Sequence, residues 1–201
     1  MVPPISNIAK SLIPYFSIII LMKLTVLRLG HRIKRDKRLT THVCLTSRAL
    51  GADDVILSGD YDESIMNSVK DIIKRWGGKF KVSYEKNWKS MLKDKEVIHL
   101  TMYGIPIQKS IQKIRSSKKD KIIVVGGEKV PAELYEMADY NIAVTNQPHS
   151  EVAALAIFLD NFFQGKELEN KHSGAQIKVH PQKKGKKVQR KERIFSKLLP
   201  F

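Results

Sequence analysis

Apolar runs alternate with amphipathic segments along this chain and predict alternating strands and helices. Short runs rich in β-branched residues predict strands over residues 23–30, 54–59, 79–84, 97–102, 121–125 and 140–145. Segments with helical periodicity predict helices over residues 40–50, 63–77, 87–93, 106–115, 131–138 and 150–163. Strands that alternate with helices build a parallel sheet flanked by helices on both faces. The predicted fold class is therefore α/β.

Two polar, turn-rich loops each lie between a predicted strand and the start of a helix. The first is GGEKVP, residues 126–131, in which Pro131 suits a first helical turn. The second covers residues 144–150 and ends at Ser150, which suits a helix cap. We expect the two strands to be neighbours, and ligands of open α/β sheets bind at the carboxyl ends of such strands. The sequence therefore predicts a cofactor site between the loops.

The charge of the chain favours a polyanionic partner. The 201 residues, enough for one substantial domain, carry 36 Lys plus Arg against 20 Asp plus Glu, a formal charge of +16. Nucleic acid is the favoured partner, while an anionic membrane surface and simple solubility remain alternatives. The single cysteine, Cys44, excludes an internal disulfide and a multi-cysteine zinc site. It fits the reducing cytoplasm, where we expect the protein to act.

The two ends of the chain differ from its centre. Residues 1–21 hold an apolar run that Pro14 interrupts and that is half the length of a membrane span. We interpret them as the product of an upstream start codon, with Met22 as the natural first residue and an anchoring helix as the alternative. Residues 166–201 hold 11 Lys or Arg against 3 Glu and predict a mobile basic tail. The predicted domain then covers residues 22–165.

A dense group of cations follows the first strand. This basic segment, residues 28–38, contains Arg28, Arg32, Lys34, Arg35, Lys37 and Arg38. The segment has a lone Gly30 and no G-x-G-x-x-G, so it is no dinucleotide fingerprint. We predict a loop that binds RNA phosphates, because arginine can grip phosphate oxygens bidentately. The nearby His31 and His42 are interpreted as structural.

Four long motifs, in order, carry a resemblance to a known family. They are VLRLGHRIKRDKRLTTHVCLTSRALGA (26–52), HLTMYG (99–104), VVGGEKVP (124–131) and VTNQPHSEVAALAIFLD (144–160). They closely resemble the archaeal tRNA cytidine 2′-O-methyltransferases of the SPOUT class, from residue 22 to about residue 165. The resemblance implies methylation of the ribose of cytidine 56 in the tRNA T loop by S-adenosylmethionine. It further implies a trefoil-knotted fold whose knot holds the methyl donor, and a homodimer. We expect no metal, because methyl transfer needs none, and no membrane partner.

The resemblance also implies which residues contact the cofactor. These are Leu100, Gly126, Gly127, Glu128, Lys129, Val130, Val144, Thr145, Asn146, Gln147, Pro148, His149, Ser150 and Glu151. Both predicted loops fall within this set. The set thus agrees with the crevice inferred from the strand and loop pattern alone.

The catalytic base is left open by the same resemblance. Bacterial members carry an Asn and then an Arg in the first motif, whereas this chain reads THVCLTSRALGA there. A cation beside the ribose oxygen would stabilise its developing charge, and the candidates are Arg32, Arg35 and Arg38, with Arg48 behind them. Glu128 is the candidate for orienting an arginine or the donor. The alternatives are the same chemistry on another nucleotide and a non-catalytic RNA-binding protein.

Overall fold

A computed structural model describes residues 22–127 and 129–191, and the predicted extension over residues 1–21 lies outside them. The strands are β1 (Leu24–His31), β2 (Asp54–Gly59), β3 (Lys81–Tyr84), β4 (Glu96–Pro106), β5 (Lys121–Val125), β6 (Tyr140–Ala143), β7 (Ile177–His180) and β8 (Lys187–Arg190). The α-helices are α1 (Ile33–Ala49), α2 (Glu63–Trp76), α3 (Ile111–Ser116), α4 (Ala132–Met137) and α5 (Glu151–Phe163). Short 3₁₀ turns cover Trp88–Leu92, Ile107–Lys109 and Lys166–Glu169.

Six of these strands form one parallel sheet in the order β3-β2-β1-β5-β4-β6. One face packs against α1, α2, α3 and α5 through side chains such as Val43, Val69 and Phe158. The other face packs against the Trp88–Leu92 turn and against Leu134 of α4. The central strands are buried on both faces, as parallel sheets require. The prediction of an α/β fold is confirmed.

Two predicted helix starts are capped by side chains, and the cap at Ser150 was predicted. Asp62 precedes α2, and its side chain accepts a hydrogen bond from the backbone N–H of Ile65. Ser150 precedes α5, and its hydroxyl accepts from the backbone N–H of Val152. These oxygens satisfy N–H groups that have no partner within the helix. Ser150 therefore fixes where the second predicted loop ends.

The order of the strands corrects one prediction. β5 and β6 are not neighbours, because β4 lies between them and pairs with both. The sequence pattern gives strands but not their lateral order, which the crossovers decide. The two predicted loops consequently flank β4, and the end of β4 becomes part of any site that they share.

The basic segment is also not a loop. α1 begins at Ile33, so the cations from Lys34 to Arg38 lie on the first turns of this helix. Lysine and arginine are good helix formers, and repulsion among them is reduced by the carboxylate of Asp36. That carboxylate accepts hydrogen bonds from the backbone N–H and the guanidinium of Arg32.

The predicted basic tail contains regular structure. β7 and β8 form an antiparallel hairpin whose turn includes Gly185 with φ of 76°. The hairpin is attached to the end of α2, because the backbone N–H of Gln176 donates to the carbonyl of Arg75. Ile177 and Val179 alternate with polar residues, which is a short strand pattern. The high lysine content of the tail outweighed this pattern in the prediction. Up to residue 191 the segment is therefore folded where the composition predicts mobility, and residues 192–201 of the predicted tail lie outside the described residues.

Candidate active site

A cavity of about 340 Å³ opens at the carboxyl ends of β4 and β5, and we call it the carboxyl-edge crevice. It is lined by His99, Leu100, Thr101, Met102, Tyr103, Gly126, Gly127, Val130, Tyr135, Pro148, His149, Glu151 and Ala154. Its volume lies within the usual range for small-molecule sites, about 300–1,000 Å³. Its lining joins apolar side chains to a few polar groups, as such sites commonly do.

One wall of the crevice is an irregularity of β4. Leu100 and Ile105 both pair with Ile142 of β6, so the residues between them form a bulge in the pairing with β6. A Cβ at Gly104 would come within 2.5 Å of the Asn141 backbone, so glycine allows this close return. Asn146 holds the same wall, since its Nδ2 donates to the carbonyls of Met102 (2.6 Å) and Gly104 (3.2 Å). The wall is therefore fixed to the second predicted loop.

The opposite wall is the glycine pair after β5. A Cβ at Gly126 would overlap the side chain of Val130. A Cβ at Gly127 would meet only the guanidinium of Arg28, at an ordinary contact distance of 3.7 Å. Backbone atoms thus form the surface of the crevice here, and a ligand can approach them closely. This is the kind of cradle that a nucleoside-containing cofactor needs.

Arg28 is buried directly behind Gly127, which corrects its prediction as a phosphate contact. Its side chain is fully buried. Its Nε lies 3.4 Å from Thr40 Oγ1, and its Nη1 lies 3.3 Å from the carbonyl oxygen of Leu29. Burial lowers the pKa of Arg28, and the charges of Glu151 and Asp36 partly oppose that effect. Arg28 therefore sets a positive field behind the crevice but cannot reach an RNA backbone.

The remaining cations of the basic segment lie at the same edge of the sheet. α1 starts directly after β1, whose neighbour β5 carries the glycine pair. Arg35 and Arg38 are exposed, whereas Arg32 is half-buried and paired with Asp36. These residues form a basic rim beside the crevice, at the positively polarised end of a helix.

Arg48 does not belong to this rim. It lies near the other end of α1, where its Nη2 donates to the carbonyl of Gly77 at 2.8 Å. It lines a separate cavity of about 490 Å³ at the opposite edge of the sheet, near Ala52 and Phe80. The 17-residue length of α1 carries it away from the crevice. Arg48 was a candidate only if it faced the crevice from this helix, and it does not face it.

The structure brings together about half of the residues predicted to contact the cofactor. Leu100, Gly126, Gly127, Val130, Pro148, His149 and Glu151 line the crevice. Lys129, Thr145 and Gln147 are exposed and do not line it, Val144 packs on the core, and Ser150 caps α5. Glu128 lies outside the described residues.

Several lining residues are absent from the sequence prediction. His99 and residues 101–103 belong to the quoted HLTMYG motif. Because they adjoin Leu100 in sequence, they could have been predicted to line the same site. Tyr135 comes from α4, and its OH lies 3.4 Å from Thr101 Oγ1. No sequence signal connects these two residues, which only the packing of α4 on β4 brings together.

Within residues 22–127 and 129–191, no group of three or more His, Cys, Asp or Glu could hold a metal ion. Over the same residues, no helix is long and apolar enough to cross a membrane.

Comparison with known proteins decides the family. A family model described as "tRNA ribose 2′-O-methyltransferase, aTrm56" matches residues 76–189. This chain belongs to that family. It is 53% identical over 170 residues to the tRNA (cytidine(56)-2′-O)-methyltransferase of Methanopyrus kandleri, which covers 82% of this chain and 95% of the relative. The protein of the same name from Thermococcus kodakarensis is 53% identical over 172 residues, covering 82% and 96%.

The family match extends the predicted resemblance. It reaches residue 189 and so includes β7 and all of β8 except Arg190, whereas the predicted resemblance ends near residue 165. The enzyme class predicted from those motifs is confirmed, because the family is one of tRNA ribose methyltransferases.

Solved structures agree on the fold. The match to a TrmH/SpoU tRNA modifying enzyme from A. aeolicus covers 83% of this chain and 89% of that protein, with a TM-score of 0.50 and 14% identity. An AdoMet-bound rRNA methyltransferase from Sinorhizobium meliloti has a TM-score of 0.51 and 16% identity. That match covers 72% of this chain and only 57% of the other protein. The sheet and its helices are thus those of the SPOUT class.

Proposed function

We propose that this protein methylates the ribose 2′-hydroxyl of cytidine 56 in the T loop of tRNA, with S-adenosylmethionine as donor. The observation that carries the proposal is 53% identity to relatives of that activity across 82% of the chain. The crevice supports it, because its volume and its glycine wall suit an adenosine-containing molecule.

We propose that the donor lies in the carboxyl-edge crevice between the two loops. When bound, it supplies an electrophilic methyl group. Leu100, Gly126 and Gly127 offer apolar surface and backbone groups to it, and Val130 closes the glycine wall. The remaining predicted contacts, from Lys129 and from residues 144–150, stay part of the proposal, as does Glu128.

The reaction requires the ribose oxygen to lose its proton and to be aligned with the methyl carbon. Alignment converts a bimolecular step into a nearly unimolecular one and supplies several kcal/mol. Positive charge beside the oxygen stabilises it as the proton leaves. Arg35 and Arg38 are exposed on the rim for this role, and Arg32 is held beside them by Asp36.

We further propose a homodimer, a trefoil knot around the donor site and action in the cytoplasm. Tyr103 beside the crevice and Ile157 on α5 are exposed apolar side chains that a second copy could cover. A lone, buried Cys44 suits a reducing compartment. Sedimentation of the purified protein checks the dimer.

Mass mapping of methylated nucleotides in tRNA incubated with protein and donor tests the proposal. We expect one methyl group on cytidine 56, and its absence from a control reaction without donor. Methylation of a different nucleotide would overturn the assigned position. Binding of tRNA with neither methylation nor a donor-induced rise in melting temperature would show a non-catalytic RNA-binding protein.

Arg35→Ala and Arg38→Ala test the cationic rim. We expect turnover on tRNA to fall while donor affinity stays at the wild-type value, because both side chains lie outside the crevice lining. Lys70→Ala, an exposed cation on α2, is the matched control. If both arginine variants lose tRNA affinity and turnover equally, the two arginines contact RNA phosphates and have no catalytic role.

A further inference from the structure

His99 is a polar side chain of the crevice to which no role is assigned above. It is 1% exposed, on β4 beside Leu100, and it lines the crevice. Its Nδ1 lies 2.8 Å from Asn141 Oδ1, and its ring packs edge-on against Tyr135 with centroids 4.7 Å apart. Among the described residues its Nε2 has no hydrogen-bond partner.

The hydrogen bonds of Asn141 fix which ring nitrogen carries the hydrogen. Asn141 Nδ2 donates to the carbonyl of Tyr135 at 2.8 Å, so Oδ1 is the atom that faces His99. An amide oxygen only accepts, and His99 Nδ1 must therefore donate to it. In a neutral imidazole this leaves Nε2 with a lone pair and no hydrogen.

The surroundings keep that imidazole neutral. Burial lowers the pKa of His99, and the hydrogen bond to Asn141 opposes the shift only in part. The other titratable groups that line the crevice are Tyr103 from β4, Tyr135 from α4, His149 from the second predicted loop, and Glu151, the first residue of α5. Arg28 adds positive charge from behind Gly127. At neutral pH His99 therefore offers an acceptor and not a positive charge.

We infer that His99 Nε2 accepts a hydrogen bond from an uncharged group on the adenosine part of the methyl donor. The inference rests on the proposed function. Leu100, Val130 and Ala154 contribute apolar surface to the crevice, which favours an uncharged amine or hydroxyl over an ammonium. The near-complete burial of His99 places it deep in the crevice, away from the rim that receives RNA. The two sources of such a hydrogen are the exocyclic amine of adenine and a ribose hydroxyl.

His99→Phe tests the acceptor, because it keeps the ring against Tyr135 and removes both nitrogens. Calorimetry with S-adenosylmethionine should show affinity about tenfold weaker than that of the wild type. Analogues of S-adenosylhomocysteine identify the group: one with a dimethylated exocyclic amine, the others lacking one ribose hydroxyl. The analogue without the recognised hydrogen should bind the wild type weakly, and His99→Phe should no longer distinguish it from the parent compound.

Asn141→Asp provides a second test that does not remove the imidazole. A carboxylate beside Nδ1 raises the pKa of His99, so Nε2 becomes protonated at a higher pH and stops accepting. As the pH is lowered, donor affinity should therefore begin to fall at a higher pH in this variant than in the wild type. His149 also lines the crevice, but the side chain of Asn141 hydrogen-bonds His99 and the Tyr135 carbonyl, so the shift reports on His99. His42→Gln, on the exposed face of α1, should leave the pH profile unchanged.

The possible results separate this inference from the proposed function. Failure of the wild type to bind the donor would overturn the proposed function itself. A wild type that binds, with His99→Phe folded and binding equally well, would overturn the inference alone. Unchanged donor affinity with reduced turnover would show that His99 faces the RNA ribose, which overturns the adenosine assignment. Should His99→Phe fail to fold, an unshifted pH profile in Asn141→Asp would overturn it.

Discussion

At the scale of single residues, a substitution at Gly127 can change donor binding without changing the stability of the fold. A Cβ there meets only the Arg28 guanidinium, at 3.7 Å. We predict that Gly127→Val folds with a thermal midpoint close to that of the wild type and loses donor binding, because the side chain fills the cradle. Calorimetry and thermal melting check the two halves. If this variant binds the donor as tightly as the wild type, the glycine wall does not contact the donor.

Gly126→Ala is the informative comparison. Its Cβ overlaps Val130 even without a ligand, so this variant should alter the loop as well as the binding. A loss of stability confined to Gly126→Ala would agree with the geometry of the two glycines.

Asp36 carries a pH dependence whose sign follows from its partners. The hydrogen bond from the Arg32 guanidinium holds the pKa of Asp36 below its ordinary value, while burial opposes this. Its contribution to stability is therefore present above the unfolded pKa, near 3.9, and is lost as the pH falls through the folded pKa. We predict that Asp36→Asn lowers the free energy of unfolding by about 2 kcal/mol at pH 7. Urea unfolding should show this difference shrinking below about pH 4.

Asp71→Asn is the matched control for that measurement. Asp71 also pairs with an arginine four residues away, Arg75 at 2.8 Å, but both side chains are about half exposed. An exposed pair of this kind contributes about 0.3–0.5 kcal/mol. Equal effects of the two substitutions would show that the Asp36 contacts are not specially stabilising.

The residue scale also shows where sequence reasoning stops. Leu100 and the glycine pair are predictable, because strand ends and glycines have local signatures. The burial of Arg28 is not, since its neighbours on the same strand face, Val26 and Gly30, do not distinguish a core arginine from a surface one. Its polar partners, Thr40 and Asp36, lie on α1, and only the packing of that helix brings them to Arg28.

At the scale of elements, the hairpin of β7 and β8 offers a test of RNA binding. Its turn carries Lys183, Lys184 and Lys186, all exposed. We predict that replacing all three with Ser weakens tRNA binding. Its salt dependence should also fall, by about 0.7–0.9 in log slope for each RNA phosphate that the variant no longer neutralises. Filter binding across a salt series measures the slope.

The charge substitution is preferable to truncation. A chain ending at Gln182 would lack β8 and leave β7 unpaired, so it would test folding and charge together. Donor affinity should be unchanged in the triple variant, because the hairpin lies at the end of α2. An unchanged salt slope would show that the hairpin does not bind RNA.

Element order was the main limit of the sequence at this scale. All six strands of the sheet were predicted from their apolar runs, and Ser150 was predicted as the cap of α5. The position of β4 between β5 and β6 has no such local sign, because it depends on how each crossover packs. The start of α1 was also not predicted, because closely spaced cations suggest a loop. The structure shows that Asp36 compensates part of this charge.

At the scale of the whole molecule, Cys44 reports on opening of the core. It is fully buried on α1, and burial raises its pKa to about 12. We predict that Ellman's reagent labels it only at the rate at which the core opens, since the thiolate is the reactive form. As the chain's single cysteine, it gives one unambiguous signal.

Donor binding should slow that labelling, because a ligand of the native state stabilises it. A spectrophotometric time course with and without S-adenosylmethionine provides the comparison. Rapid labelling in native buffer, before any unfolding, would show that α1 does not cover Cys44 in solution.

The central place of β1 has a consequence for synthesis on the ribosome. Its Val26 and Leu27 are fully buried, yet one of its two neighbours is β5, and Lys23 bonds to Asp120, 97 positions later. After it emerges, β1 must therefore wait, with one edge open, until more than half of the chain has been translated. Parallel pairings between distant strands form slowly, and open apolar edges invite association with other chains. Nascent chains of this protein should thus be most vulnerable to aggregation, and most dependent on chaperones, between the emergence of β1 and that of β5.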